Sequence, residues 1–181
     1  TIATIAPHDS VDRFEKLGVT VIRERASFAG RNKVQSRTHL VTARYIVIAT
    51  GSSPLVPPIA GLDETPFLTN ETIFSKKGKP DHLLIIGGGP IAIEMAQAHV
   101  RLGCRVTVVE AATIMARDDS ELVGILKARL IEEGITLVEG VDVIKVTKSK
   151  VGVKATLADQ NVLEANQLLI AIGRQPATEE L

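Results

Sequence analysis

Residues 83–94 of this 181-residue chain read LLIIGGGPIAIE. An aliphatic run, Leu83 to Ile86, feeds directly into Gly87, Gly88, Gly89, Pro90, Ile91 and Ala92, a G-x-G-x-x-A pattern that opens a helical stretch. In such a pattern the first glycine permits a tight turn. The second lets a ligand approach the backbone, and a small third residue lets the helix pack close to the strand. The first turn of the helix has unpaired N–H groups and the positive end of its dipole, so the chemistry on offer is anion binding. A second strand-like run, Arg105 to Val109, ends on Glu110, about 20 residues further on, where a carboxylate can accept hydrogen bonds from an adenosine ribose. Strand, glycines, helix and acid in that order point to a dinucleotide site. A Gly-rich turn in some other α/β protein, the plainer alternative, leaves the acid unexplained.

Glu110 also bears on which dinucleotide binds. A 2′-phosphate would bring about −1.5 to −2 charges beside the carboxylate. Like charges near 4 Å repel by roughly 4 kcal/mol at an effective dielectric of 20. The residues that follow are Ala111 and Ala112, and Arg117 is the first cation downstream. NAD(H) is therefore expected over NADP(H).

These residues need an α/β frame, and the rest of the chain reads as one. Pro90 to Leu102 forms a helix with proline in its first turn and Gly103 as its stop. Asp118 and Glu121 have capping-box spacing for a helix to about Glu133, and Ile135 to Val138 makes a third strand. Val141 to Thr147, Val151 to Leu157 and Val162 to Ala165 alternate as an antiparallel meander would, and Leu168 to Ile172 is a last buried strand. Upstream, Asp9 or Ser10 caps a short helix with Val11, Phe14 and Leu17 on one face and Gly18 at its end. Strands are expected at Val19 to Arg23, Val34 to Ser36 and Leu40 to Ala43, with a turn at residues 30–33. Tyr45 to Ala49 reads as a buried strand ending at Thr50-Gly51. Pro54, Pro57, Pro58 and Gly61 read as a linker.

Composition narrows the function classes. Hydrophobic residues make up 45% of the chain but aromatics only 3%, so the core must be aliphatic, as in parallel sheets covered by helices. Twenty-one cationic and twenty-one acidic residues cancel, so no nucleic-acid or membrane partner is expected. No apolar run approaches the roughly 20 residues that span a bilayer. The single cysteine, Cys104, excludes an intrachain disulfide, fits a reducing cytoplasmic setting and reads as a buried, inert thiol. The four histidines, His8, His39, His82 and His99, show no metal-ligand spacing, so no metal is expected. The chain opens on Thr1 and stops without an obvious end to the fold, which suggests a piece of a longer protein.

IVIATGSSP at residues 46–54, GGGPIAIEMA at 87–96, VTVVE at 106–110 and AIGRQP at 171–176 together resemble the middle of a pyridine nucleotide-disulfide oxidoreductase. The dihydrolipoamide dehydrogenase and mercuric reductase branch is nearest in flavour. The resemblance covers essentially the whole chain. It implies a Rossmann-like parallel sheet flanked by helices with an antiparallel meander, plus a partial flavin-domain segment. Residues 1–57 would be the later part of an FAD-binding domain, 58–64 a linker, 65–173 the NAD(H)-binding domain, and 174–181 the start of the return to the flavin domain. Gly87, Gly88, Gly89, Pro90, Ile91, Glu94, Glu110, Ala111, Val143 and Gly173 would serve NAD(H). Thr50 and Gly51 would lie against FAD. In relatives Val143 lines the adenine pocket, Gly173-Arg174 lies near the nicotinamide, and Glu94 pairs with a lysine near the flavin.

The departures from the family pattern matter as much. The chain has neither the flavin G-x-G-x-x-G nor a C-x₄-C pair, and it lacks the later GD motif and the dimerisation domain with its His-Glu base. Hence no catalytic residue is expected in this chain, Glu94 being at most a supporting one. The function expected is the NAD(H)-binding part of an FAD-dependent oxidoreductase, a homodimer when full length and inactive as this piece alone. The alternatives are a free-standing NAD-binding or sensor module and a simple two-domain dehydrogenase. The latter lacks a candidate proton donor.

Overall fold

The computed structural model describes residue 4 and residues 6–181. They fall into two compact units, one of residues 51–176 and a smaller one of residues up to Thr50 together with Ala177–Leu181.

In the smaller unit, helix α1 (Val11–Lys16) starts where the Ser10 hydroxyl accepts from the Arg13 N–H, and Gly18, at φ +87°, follows its end. Strands β1 (Ala26–Gly30), β2 (Lys33–Ser36) and β3 (Leu40–Thr42) form an antiparallel sheet in that order. Two expected strands are absent. Residues 19–23 join no ladder, and neither do residues 45–49, where Tyr45 is 78% and Val47 87% exposed. A strand buried on both faces needs a neighbour for its N–H and C=O groups. Among the described residues none pairs with this apolar segment.

The larger unit begins with β4 (Ser52–Pro54) and then alternates. Strand β5 (His82–Ile86), helix α2 (Pro90–Arg101), strand β6 (Arg105–Glu110), helix α3 (Ser120–Glu132) and strand β7 (Thr136–Glu139) lead into a meander of β8 (Val143–Lys148), β9 (Val153–Leu157) and β10 (Val162–Ala165). The chain then returns as β11 (Gln167–Ile170) and β12 (Arg174–Pro176). The central sheet is parallel throughout, in the order β11-β5-β6-β7. Counted from β5, that is the 3-2-1-4 order of a nucleotide-binding α/β sheet, with its switch point between β5 and β11.

Alternation along β5 explains the layers. Leu83 and Ile85 pack with Ala92, Ile93 and Ala96 of α2 and with Val123 and Leu130 of α3. Leu84 and Ile86 face the other way, onto Val146, Val153, Ala155 and Leu157 of the meander. The helices therefore cover one face and the meander the other. Asp119, one residue later than the expected cap, starts α3 by accepting from the Glu121 and Leu122 N–H groups.

The units part at Thr50/Gly51 and Pro176/Ala177. The reason is the antiparallel pairing of β4 with β12, which keeps both crossings in the larger unit. The Pro-rich stretch is packed as well. The Ala60 carbonyl accepts from the Val146 N–H at 2.9 Å, and Leu62 is buried against the meander. Among the described residues no helix is long and apolar enough to cross a membrane.

Glu24 ties the β2–β3 turn to the preceding segment, accepting from Ser36 Oγ (2.6 Å), Thr38 Oγ1 (2.6 Å) and the Thr38 N–H (3.0 Å). Those donors favour the carboxylate and hold its pKa down to about 2, against an ordinary 4.5. A depressed pKa contributes stability that is present above pH 4.5 and lost as pH falls through about 2. Amide exchange of Thr38 is expected to lose protection across that window, and Glu24→Gln to remove the dependence. Unchanged Thr38 protection from pH 5 to pH 2 would contradict this role for Glu24.

Candidate functional site

The site is built where β5 ends. Gly87 takes φ +112°, and its N–H donates to the Val109 carbonyl at 2.9 Å. A Cβ there would lie 2.4 Å from the Ala171 carbonyl oxygen, so only glycine lets β5 turn this close to the chain leaving β11. A Cβ on Gly88 would lie 2.9 Å from both Glu110 Cγ and Ile114 Cγ2. Gly89 has nothing within 4 Å of its Cβ direction and caps α2 with no side-chain hydrogen bond, while Pro90 occupies the first turn. The helix thus offers backbone N–H groups and its positive end to open space. Ala92 is fully buried in the helix–sheet core, the close packing expected for the third position.

Glu110, at the end of β6, accepts from the Gly88 N–H through Oε2 (2.6 Å) and from the Ala112 N–H through Oε1 (3.0 Å). A carboxylate with two lone pairs on each oxygen can hold both donors and still accept from a ligand hydroxyl.

Two clefts meet at the glycine turn, sharing Gly88, Gly89, Glu110 and Ile172. The first, about 300 Å³, runs between Ala111 and Val143. The second, about 620 Å³, runs past Pro90 and Ile91 to Gly173 and Arg174, with Arg117 on its wall. The structure therefore gathers Gly87, Gly88, Gly89, Pro90, Ile91, Glu110, Ala111, Val143 and Gly173 along one groove within the larger unit. Glu94 is exposed on α2 and lines neither cleft. Thr50 lies in the smaller unit, and Gly51, at φ +76°, in the larger.

One residue the sequence left without a role of its own is prominent. The Arg174 guanidinium donates to Ser52 Oγ (2.7 Å), the Ser52 carbonyl, Asn70 Oδ1 (3.0 Å) and Glu71 Oε1 (3.1 Å). It clamps β4, β12 and the 70–71 loop beside the larger cleft. Its partners are over a hundred residues away in the chain, so no local signal could have found them. Cys104 is buried, and burial pushes its thiol up, which disfavours the thiolate. His82 is also buried, with Nε2 2.9 Å from Thr107 Oγ1 at the start of β5, away from the glycine turn. Burial and then Arg105 hold it below its ordinary range and neutral.

An α/β unit with a glycine turn at its switch point is a Rossmann-like architecture, and solved flavoprotein disulfide reductases share this fold. The solved structure of the HOCl-induced flavoprotein disulfide reductase RclA from Escherichia coli matches with TM-score 0.79 at 29% identity, over 94% of this chain and 40% of that one. Mercuric reductase from Staphylococcus aureus is 34% identical over 175 residues, 94% of this chain and 32% of the relative. That from Streptomyces lividans is 39% identical over 148 residues, 80% and 31% respectively. Residues 8–181 match the pyridine nucleotide-disulphide oxidoreductase description, and the chain belongs to that family. It spans about a third of the length of these curated relatives.

The glycine turn gives a direct test. Gly87→Ala is expected to lose about 1–3 kcal/mol in urea unfolding, because its φ is positive and its Cβ meets a carbonyl. Gly89→Ala, at φ −78° with open space around its Cβ, should lose less. Equal losses for the two variants would refute the close approach of β5 and β11.

Proposed function

We propose that the groove of the larger unit holds NAD(H), as the nicotinamide-binding part of an FAD-dependent oxidoreductase. One observation carries the reading: the Glu110 carboxylate is hydrogen-bonded to Gly88 at the point where two clefts meet before the free N-terminus of α2. In this reading the pyrophosphate lies on the α2 N-terminus beside Gly88 and Gly89. The adenosine ribose donates to Glu110, the adenine extends between Ala111 and Val143, and the nicotinamide end runs toward Gly173.

The residues present fit such a group. A side chain at Gly89 would project into the open space before the α2 N-terminus, where the phosphates would lie. When bound, the cofactor supplies hydride chemistry. The chain's own residues bind it, orient it and set the charge at its adenosine end. Arg174 keeps the two strands at the nicotinamide end in register. Thr50 and Gly51 would meet FAD in the intact protein, where Glu94 would pair with a lysine outside this chain and a dimerisation domain would make a homodimer. Hydride transfer between nicotinamide and flavin is the activity this reading assigns to that intact protein, in the cytoplasm, with the present chain inactive alone.

Fluorescence titration should give tighter binding of NADH than of NADPH, by about tenfold or more, from repulsion between Glu110 and a 2′-phosphate. Glu110→Ala should narrow that gap. Equal or tighter binding of NADPH by the unmodified chain would overturn the NAD(H) assignment. The purified chain should also carry no visible flavin absorbance, and a stoichiometric flavin would contradict its inactivity alone.

A further inference from the structure

Beside Glu110 stands a second glutamate that the reading above leaves without a function. Glu139 ends β7 as Glu110 ends β6, and the two are direct partners in the parallel register. Two carboxylates at neighbouring strand ends repel unless one is compensated. Lys127 of α3 does so, with Nζ 2.8 Å from Glu139 Oε1. The same oxygen accepts from Thr113 Oγ1 and from the Ile114 N–H, both at 2.7 Å, and Lys127 also donates to Thr113 Oγ1 at 2.6 Å. A carboxylate with these donors stays ionised although it is half-buried; the Lys127, Thr113 and Ile114 contacts outweigh its desolvation and lower its pKa.

These bonds end on the 111–115 loop, which lines both clefts, Ala111 the first and Thr113 and Met115 the second. Ile114 is fully buried, and its Cγ2 lies 2.9 Å from where a Gly88 Cβ would be. Its neighbour Met115 holds a left-handed φ of +50°, uncommon for a side chain of this kind, and donates its N–H to the Gly88 carbonyl at 2.9 Å. The Ala112 N–H donates to Glu110, while the Ala112 carbonyl accepts from the Gly140 N–H at 2.8 Å. The loop therefore has one set of anchors on Gly88 and Glu110 and another on Glu139 and Gly140. A strained loop of this kind keeps its shape only while its anchors over-determine it.

We propose that Glu139 and Lys127 form a positioning pair for the adenosine half-site. Through Thr113 and Ile114 the pair holds the 111–115 loop so that Glu110 and Gly88 face the ribose and phosphates. Neither side chain touches the nucleotide. The inference rests on the NAD(H) reading of the groove, and it adds a determinant of affinity one layer behind the residues that would touch ligand.

The test measures NADH binding and amide exchange on the full chain for Glu139→Gln, Lys127→Met, the double variant and Glu110→Ala. Glu139→Gln is expected to weaken NADH and ADP-ribose alike, by roughly five- to tenfold, with thermal stability close to that of the unmodified chain. The double variant should lose less than the two single losses combined, because they share one interaction. In unliganded Glu139→Gln, the Ala112 and Met115 amides, which do not touch Glu139, should lose exchange protection together with Ile114. A merely structural pair would leave those two amides and the NADH affinity unchanged while lowering stability, and that result overturns the proposal. If Glu139→Gln does not fold, Lys127→Met alone carries the test through the same two readouts. Wild-type binding that falls on Glu110→Ala but not on either pair variant refutes the positioning pair and leaves the NAD(H) reading standing. No NADH binding by the unmodified chain refutes both.

Discussion

Strand β5 is buried at all five of its residues, and a strand hidden on both faces must surrender every backbone polar group to its neighbours. Strands β6 and β11 supply those partners, one on each side, and both run parallel to it. Parallel neighbours need crossovers, and the crossovers supply α2 and α3 on one face and the meander on the other. The layering of the larger unit follows from that one requirement. So does the crowding at the C-terminal end of β5, where the chain must reverse into α2 within reach of the Ala171 carbonyl.

Glycine at Gly87 answers the crowding, and the free helix start two residues later is its by-product. Parallel strand ends gather other consequences there. Glu110 and Glu139 arrive side by side because β6 and β7 are in register, not because anything in their local sequence pairs them. One is engaged by backbone donors from the glycine turn, the other by Lys127 and the loop between the strands. The same end of the sheet receives Arg174, whose guanidinium joins β4 to β12 and fixes the rim of the larger cleft.

Much of this was legible in the residues. Gly87 to Ala92 announced the turn and the helix start because φ above zero and close helix packing leave few alternatives to small residues. Glu110 announced itself by its place at the end of a strand of strict β type. The meander was legible from alternation, since β9 and β10 bury one face only, whereas a register shift between Val143 and Lys145 breaks the alternation of β8. Tyr45 to Ala49 misled because an apolar run states that a strand wants burial and cannot say whether neighbours are at hand. The Pro-rich stretch misled for the opposite reason. Its prolines mark irregular backbone, but Ile59 and Leu62, which follow them, are apolar and pack on the meander.

The glycine-turned α/β frame, with its strand, helix and acid, was determined by the sequence alone, because each part depends on local sterics and short-range periodicity. Only the tertiary structure decided that Ala111, Val143 and Gly173 line one groove and that Glu94 lies outside it. It alone brought Lys127, Glu139 and the 111–115 loop together behind Glu110. Those contacts join residues distant in the chain through strand register and helix placement, and no local propensity encodes which distant side chain will arrive.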